Sequence, residues 1–457
     1  MFGTLVKAGG TEVTGGLVGL RLGFLFHAGK SGFDGVHGGP QVATIVRAGT
    51  GGFLLATRSF FAAEARVFAD SVLEVPDASI LRGRGRYPHL LDLWYPRHPE
   101  EGVFPGKCNK KAPPSQATAI HARPSVMAKE WIKKSLIRTG ALRFASRFTG
   151  HGVAIIMYHS VMSDPSSVQM TLGGISHSTE VFRGQMEVIA RHFQAVSLDD
   201  VLLFLKGDKT LPPRAVVVTF DDGYADNYQA ANDILSPLGI PGVFYVTVDC
   251  VDRQRLPWPS LLRHAFLTSK RERWTETDGP VWALSSTEQR VRAFDRASEY
   301  CSKLSGIPQD QYVESQQQQL GTEPPRPLQR LMMTWAEVRG LARNGHTVGS
   351  HTMTHPNMAY VTENDARTEL VESKRRLEQE LEAPIVHFSY PCPALQPHWV
   401  DRTVTASRQI GYQTAVTTNG GMVRRQDDPL SLRRIRPTRT VDGLRWNLEC
   451  AFLGRVV

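Results

Sequence analysis

Two adjacent carboxylates, Asp221 and Asp222, stand in Thr219-Phe220-Asp221-Asp222-Gly223-Tyr224-Ala225-Asp226-Asn227-Tyr228. About 130 residues later, His351 and His355 stand four apart in Gly349-Ser350-His351-Thr352-Met353-Thr354-His355-Pro356-Asn357. Neutral imidazole nitrogen and carboxylate oxygen together suit zinc or a similar divalent ion. Three such ligands leave a coordination position open for water, and a fourth group, the spare carboxylate, is of the type that accepts its proton. The pattern therefore points to a hydrolytic metal site. Neither half is specific alone. With 15 histidines in 457 residues, a pair four apart arises by chance in about every second such chain. Asp-Asp recurs at 199–200 and 427–428, where it reads as ordinary turn chemistry.

The flanking elements raise the specificity. Ala215-Val216-Val217-Val218 is a continuous apolar, β-branched run, as expected of a strand covered on both faces. After the carboxylates, Ala231, Ile234 and Leu235 recur at helical spacing until Pro237-Leu238-Gly239 stops the helix. Residues 346–349 read as a second strand with polar groups at its exit, and 153–158 as another. Thr362 with Asp365 opens a helix whose buried stripe is Ala366, Leu370, Leu377 and Leu381. Acidic groups and histidines at strand exits are placed where α/β barrels carry their chemistry.

Six motifs in order resemble the polysaccharide deacetylases with a NodB-homology domain, carbohydrate esterase family 4. Besides the two above, these are Ile156-Met157-Tyr158-His159-Ser160-Val161, Phe388-Ser389-Tyr390-Pro391, Tyr412-Gln413-Thr414-Ala415-Val416-Thr417-Thr418 and Pro429-Leu430-Ser431-Leu432-Arg433-Arg434-Ile435. The resemblance implies an α/β fold, a distorted (β/α) barrel over 151–440 with a helical insertion at about 250–330. It also implies Asp221 as catalytic base, Asp222, His351 and His355 as ligands of a divalent metal such as zinc, and an acetylated poly- or oligosaccharide as substrate. Two departures stand out. The arginine that orients the base in relatives is missing from Phe388-Ser389-Tyr390-Pro391, and no histidine follows Leu430, where relatives place a general acid. Arg433 or Arg434 can replace the missing charge, because guanidinium pairs well with carboxylate. His159, Tyr224 and Tyr390 are further candidates for contact with substrate or support of the site. The expected reaction is hydrolysis of N-acetyl groups on amino sugars. O-deacetylation of a polysaccharide and a non-catalytic carbohydrate-binding domain are the rivals.

The formal charge of +9 is uneven. Residues 1–126 hold 14 basic and 9 acidic side chains, 127–150 hold 6 and 1, and the remaining 307 hold 33 and 34. The barrel region is thus near neutral and carries no basic footprint for nucleic acid. Residues 1–126 contain 19 of the 40 glycines without helical or strand period. They are expected to be either a poorly ordered extension or an artefact upstream of a natural start at Met127. Residues 129–148 form a basic helix that either packs across the barrel or lies on an anionic membrane surface. No signal peptide or stretch of ~20 apolar residues is evident, and five scattered cysteines suit a reducing compartment, so the expected location is cytoplasmic or peripheral to the membrane. Cys392 is expected to line a subsite. Within the insertion, 286–304 reads as a helix capped by Ser286 and Gln289, while Gln316–Gln319 reads as loop. Residues 441–457 are set apart as a C-terminal tail. The oligomeric state is not legible.

Overall fold

The computed structural model describes residues 124–146, 152–325 and 330–455. The extension 1–126 lies almost wholly outside them. Seven strands follow one another around a barrel in chain order: β1 (Val153–Tyr158), β2 (Ala215–Phe220), β3 (Gly242–Val246), β4 (Thr347–Ser350), β5 (His387–Ser389), β6 (Thr414–Gly420) and β7 (Leu432–Arg434). All neighbouring pairs are parallel. Just beyond β7, Ile435 closes the ring. Its N–H donates to the Ile155 carbonyl at 2.7 Å, and its carbonyl accepts from Met157 N–H at 3.1 Å. Every residue of β1, β2 and β3 is buried. Their apolar runs face barrel interior and helical shell alternately, which explains why no polar alternation marks them.

Close packing fixes β4 against β3. A Cβ on Gly349 would stand 2.6 Å from the Tyr245 ring, so glycine alone lets that ring cross the strand pair. β4 runs beside β3 from Thr347 opposite Val243 to Ser350 opposite Val246, and its exit residue, His351, donates its N–H to the Val246 carbonyl at 2.9 Å.

Between β3 and β4 the chain leaves the barrel for the helical insertion. It comprises helices Val248–Asp252, Trp258–Thr268, Thr287–Cys301 and Gly306–Leu320 and a small hairpin, Arg273–Thr275 with Val281–Ala283. The insertion has its own core, in which Leu262, Phe266, Trp274, Ala297 and Cys301 are buried together. Helix Thr287–Cys301 begins with the expected Ser286–Gln289 capping box. The glutamine run is a correction: Gln316–Gln319 lies inside helix Gly306–Leu320. Glutamine is a good helix former, and Gln316 Oε1 accepts from buried Trp274 Nε1 at 2.7 Å.

The predicted basic helix is two helices, Pro124–Thr139 and Ala141–Ala145, broken at Gly140, whose φ of 71° is left-handed. Trp131 and Phe144 are exposed on them. The C-terminal segment opens with a packed helix. Helix Val441–Phe452 buries Leu444 and Leu448, stacks Phe452 on Phe193, and pairs Glu449 with Arg214 at 2.8 Å. No helix of the described residues is long and apolar enough to cross a membrane.

Candidate metal centre

At the C-terminal mouth of the barrel, β2 delivers Asp221 and Asp222 and β4 delivers His351 and His355. All four are at most 4 % exposed. Nε2 of His351 and of His355 lie 3.4 and 3.3 Å from Asp222 Oδ1. The three candidate ligating atoms fall within 4.8 Å of one another. These gaps exceed the ~2.7–2.9 Å of a charge-assisted hydrogen bond. Asp222 Oδ1 and His355 Nδ1 are buried without a hydrogen-bond partner. His351 Nδ1 sits 2.8 Å from the Ser389 carbonyl, which makes that nitrogen the donor and leaves Nε2 with a lone pair toward Asp222. Two imidazoles and one carboxylate converging in this way fit a divalent cation. Burial pushes the Asp222 carboxyl up, but the facing imidazoles of His351 and His355 outweigh it and hold the pKa well below the ordinary value.

Two of the three candidate ligands sit on strained backbone. Asp222 has φ 76° and His355 φ 62°, with Thr352 between the histidines at 67°. Non-glycine residues in this region cost of order 1–3 kcal/mol each and persist where surroundings over-determine them. Those surroundings are visible. Buried Glu369 accepts from Met353 N–H at 2.8 Å and Thr354 N–H at 2.9 Å, and Thr352 Oγ1 accepts from His355 N–H at 3.0 Å. From the insertion, Trp258 Nε1 donates to the His355 carbonyl at 2.9 Å. Neither Glu369 nor Trp258 is marked by any spacing in the sequence. Trp258 comes from the insertion and Glu369 from the helix after the histidine loop, and no local period ties either to the residue it supports. Trp258→Phe keeps an aromatic ring and removes the donor, so the affinity of the candidate site for a divalent metal should fall about tenfold. Chelator competition measures this, and unchanged affinity would show that the bond does not position His355.

Asp221 points to a different partner. Arg434 clamps it with Nη1 to Oδ1 and Nη2 to Oδ2, both 2.8 Å. The same guanidinium donates from Nε to the Thr417 carbonyl at 2.8 Å, and to Thr219 Oγ1 and Ser389 Oγ at 3.3 Å each. All five of its N–H donors are thereby used. Burial raises the Asp221 pKa, but the Arg434 charge, then that of His351, hold it below the ordinary value.

The other candidates divide. Arg433 is exposed, one residue from the clamp. Tyr390 is buried, packs on Phe388 and Trp399, and donates to the Leu430 carbonyl at 3.2 Å, away from the cluster. Tyr224 lines the cavity beside the cluster. His159 is half-buried at the barrel mouth. Burial lowers its pKa, and the charges of Asp222 and Asp221 pull it partly back. His398 Nε2 lies 3.2 Å from Cys392 Sγ and 3.1 Å from Gln396 Nε2. Burial, then the charge of Arg436, lower its pKa to about 4. Neutral, with Nε2 accepting from these donors, His398 is a poor proton donor. Cys392 is committed to that contact, and burial pushes its thiol up to about 11, so it is no thiolate nucleophile.

Residues 208–415 match the family profile described as polysaccharide deacetylase. That span holds the Asp-Asp and His motifs and ends before Arg434. The chain is 19 % identical over 290 residues to YxkH of Bacillus subtilis (strain 168), described as a polysaccharide deacetylase, covering 63 % of this chain and 72 % of that one. Among solved structures it is similar to the Streptococcus pyogenes deacetylase PplD in complex with acetate, at TM-score 0.45 and 17 % identity over 66 % of this chain and 99 % of that one. It is also similar to IcaB from Ammonifex degensii, at TM-score 0.43 and 16 % identity over 66 % and 98 %.

Proposed function

We infer that this chain, which carries a polysaccharide deacetylase domain over residues 208–415, hydrolyses N-acetyl groups on the amino sugars of a poly- or oligosaccharide. The convergence of Asp222, His351 and His355 beside an arginine-clamped Asp221 carries this reading. Asp222 Oδ1 and the two Nε2 atoms would hold a divalent metal, zinc by the chemistry of the donor set. Such an ion supplies Lewis acidity at the acetyl carbonyl and a lowered pKa for a bound water.

The chain's own groups do the proton work. Arg434 keeps Asp221 ionised and aligned, so its carboxylate accepts the proton of the attacking water. Protonated Asp221 is then a strong acid for the same reason that its pKa is low, and it returns the proton to the departing amine. This suits a site whose nearby imidazoles, His159 and His398, both have lowered pKa values. The Tyr224 backbone supports a role in stabilising the oxyanion. Ala225 N–H is occupied by the Leu331 carbonyl at 2.8 Å, and the antiparallel bridge of Tyr224 to Met332 turns the Tyr224 N–H away from that partner.

Metal analysis of the purified chain with acetate release from N-acetylated chitooligosaccharides and O-acetylated xylan tests the reading. Stoichiometric metal with acetate from the chitooligosaccharides is the expected result. Release from xylan alone would make it an O-deacetylase, and a chain without metal or activity would be a binding domain. Trp131 and Phe144, exposed on the basic helices, also support contact with an anionic membrane surface, which sedimentation with anionic and neutral vesicles tests.

A further inference from the structure

The cavity beside the metal cluster is not closed by the barrel alone. It has a volume of about 70 Å³, several times what one water-sized sphere needs. Asp222 and His355 line one side of it. The insertion contributes to its wall with Arg263 from helix Trp258–Thr268 and Phe294, Asp295 and Ser298 from helix Thr287–Cys301.

Asp295 and Ser298 are three apart in one helix, so their side chains share a face. Ser298 is 3 % exposed, and its Oγ has no hydrogen-bond partner. Leaving a buried hydroxyl unmet costs ~1–3 kcal/mol. The cavity is the side from which a partner can arrive. Asp295 and Arg263 are buried in the same wall, and the Arg263 guanidinium lies 6.0 Å from the Phe294 ring centre. A carboxylate that only accepts, a guanidinium that only donates, a hydroxyl that does both and an aromatic ring together complement one kind of ligand. That ligand is a ring carrying several hydroxyls on an apolar C–H face.

Building on the deacetylase reading above, we propose that the helical insertion reads the sugar. Ser298, Asp295 and Arg263 form a subsite for the ring hydroxyls of the acetylated amino sugar, with Phe294 against its apolar face. The acetamide is thereby presented to Asp222 and His355. These are specificity residues, and the proton transfers do not use them.

The test compares two substrates on the metal-loaded full chain. One is N-acetylated chitotetraose, and the other is 4-nitrophenyl acetate, which has the acetyl group and no sugar. For Ser298→Ala and for the isosteric Asp295→Asn, the ratio of kcat/KM on the tetraose to kcat/KM on the aryl ester should fall about tenfold or more, chiefly through KM on the tetraose. An unchanged ratio, whether both rates drop or neither does, overturns the proposal. Failure of the deacetylase reading looks different. The wild-type chain would then hydrolyse the aryl ester and release no acetate from any N-acetylated oligosaccharide, and the subsite would fall with it.

Discussion

Asp222→Ala, His351→Ala and His355→Ala should each lose bound divalent metal and acetate release together. Each removes one of the three candidate ligating atoms that lie within 4.8 Å of one another. Two remaining ligands hold an ion too weakly to survive dialysis. The barrel should persist, because these side chains sit at the mouth and the apolar core lies below them. Elemental analysis after dialysis, read beside the melting temperature, separates metal loss from unfolding. Stoichiometric metal in all three variants would mean that the site lies elsewhere.

Asp221→Asn should instead keep its metal and lose turnover by ~10² or more, the usual scale for general acid–base catalysis. The amide still offers Arg434 one acceptor, and the guanidinium retains its bonds to Thr417, Thr219 and Ser389. Arg434→Met is the harsher change, since it strands a buried carboxylate that is 2 % exposed. Breaking one side of a buried pair costs ~3–5 kcal/mol. The pH consequence has a definite sign. The clamp holds the Asp221 pKa below its ordinary 3.8. Its stabilisation is therefore in place above that value and is lost only as pH falls through the lowered one. Without Arg434 the pKa rises, and the acidic limb of the pH–rate profile should move to higher pH. A profile that stays put in Arg434→Met, or near-normal turnover in Asp221→Asn, would remove Asp221 from the role of base.

What could be read in advance was whatever depends on near neighbours in the chain. The strands at 153–158 and 215–220 announce themselves through apolar β-branched runs, and their burial on both faces follows. The cap at Ser286 with Gln289 and the helix opened by Thr362 rest on contacts three residues long. The Asp-Asp and His-x3-His motifs were legible for the same reason, as was the kind of chemistry they suit.

The choice between Arg433 and Arg434 was not legible. Strand β7 is three residues long, and successive side chains point to opposite faces. Too few residues alternate there to show which face is inward. The pairing of β7 with β6 and the contact of Ile435 with β1 decide it, turning Leu432 and Arg434 in and Arg433 out. Trp258 under His355, Glu369 under the histidine loop, and Ser298 in the cavity wall arise in the same way. Each joins positions that no local period connects. The residue types that suit a hydrolytic metal site were thus set by the chain itself, whereas the clamp on Asp221 and the wall of the pocket exist only because a closed barrel and its insertion bring distant segments within hydrogen-bonding range.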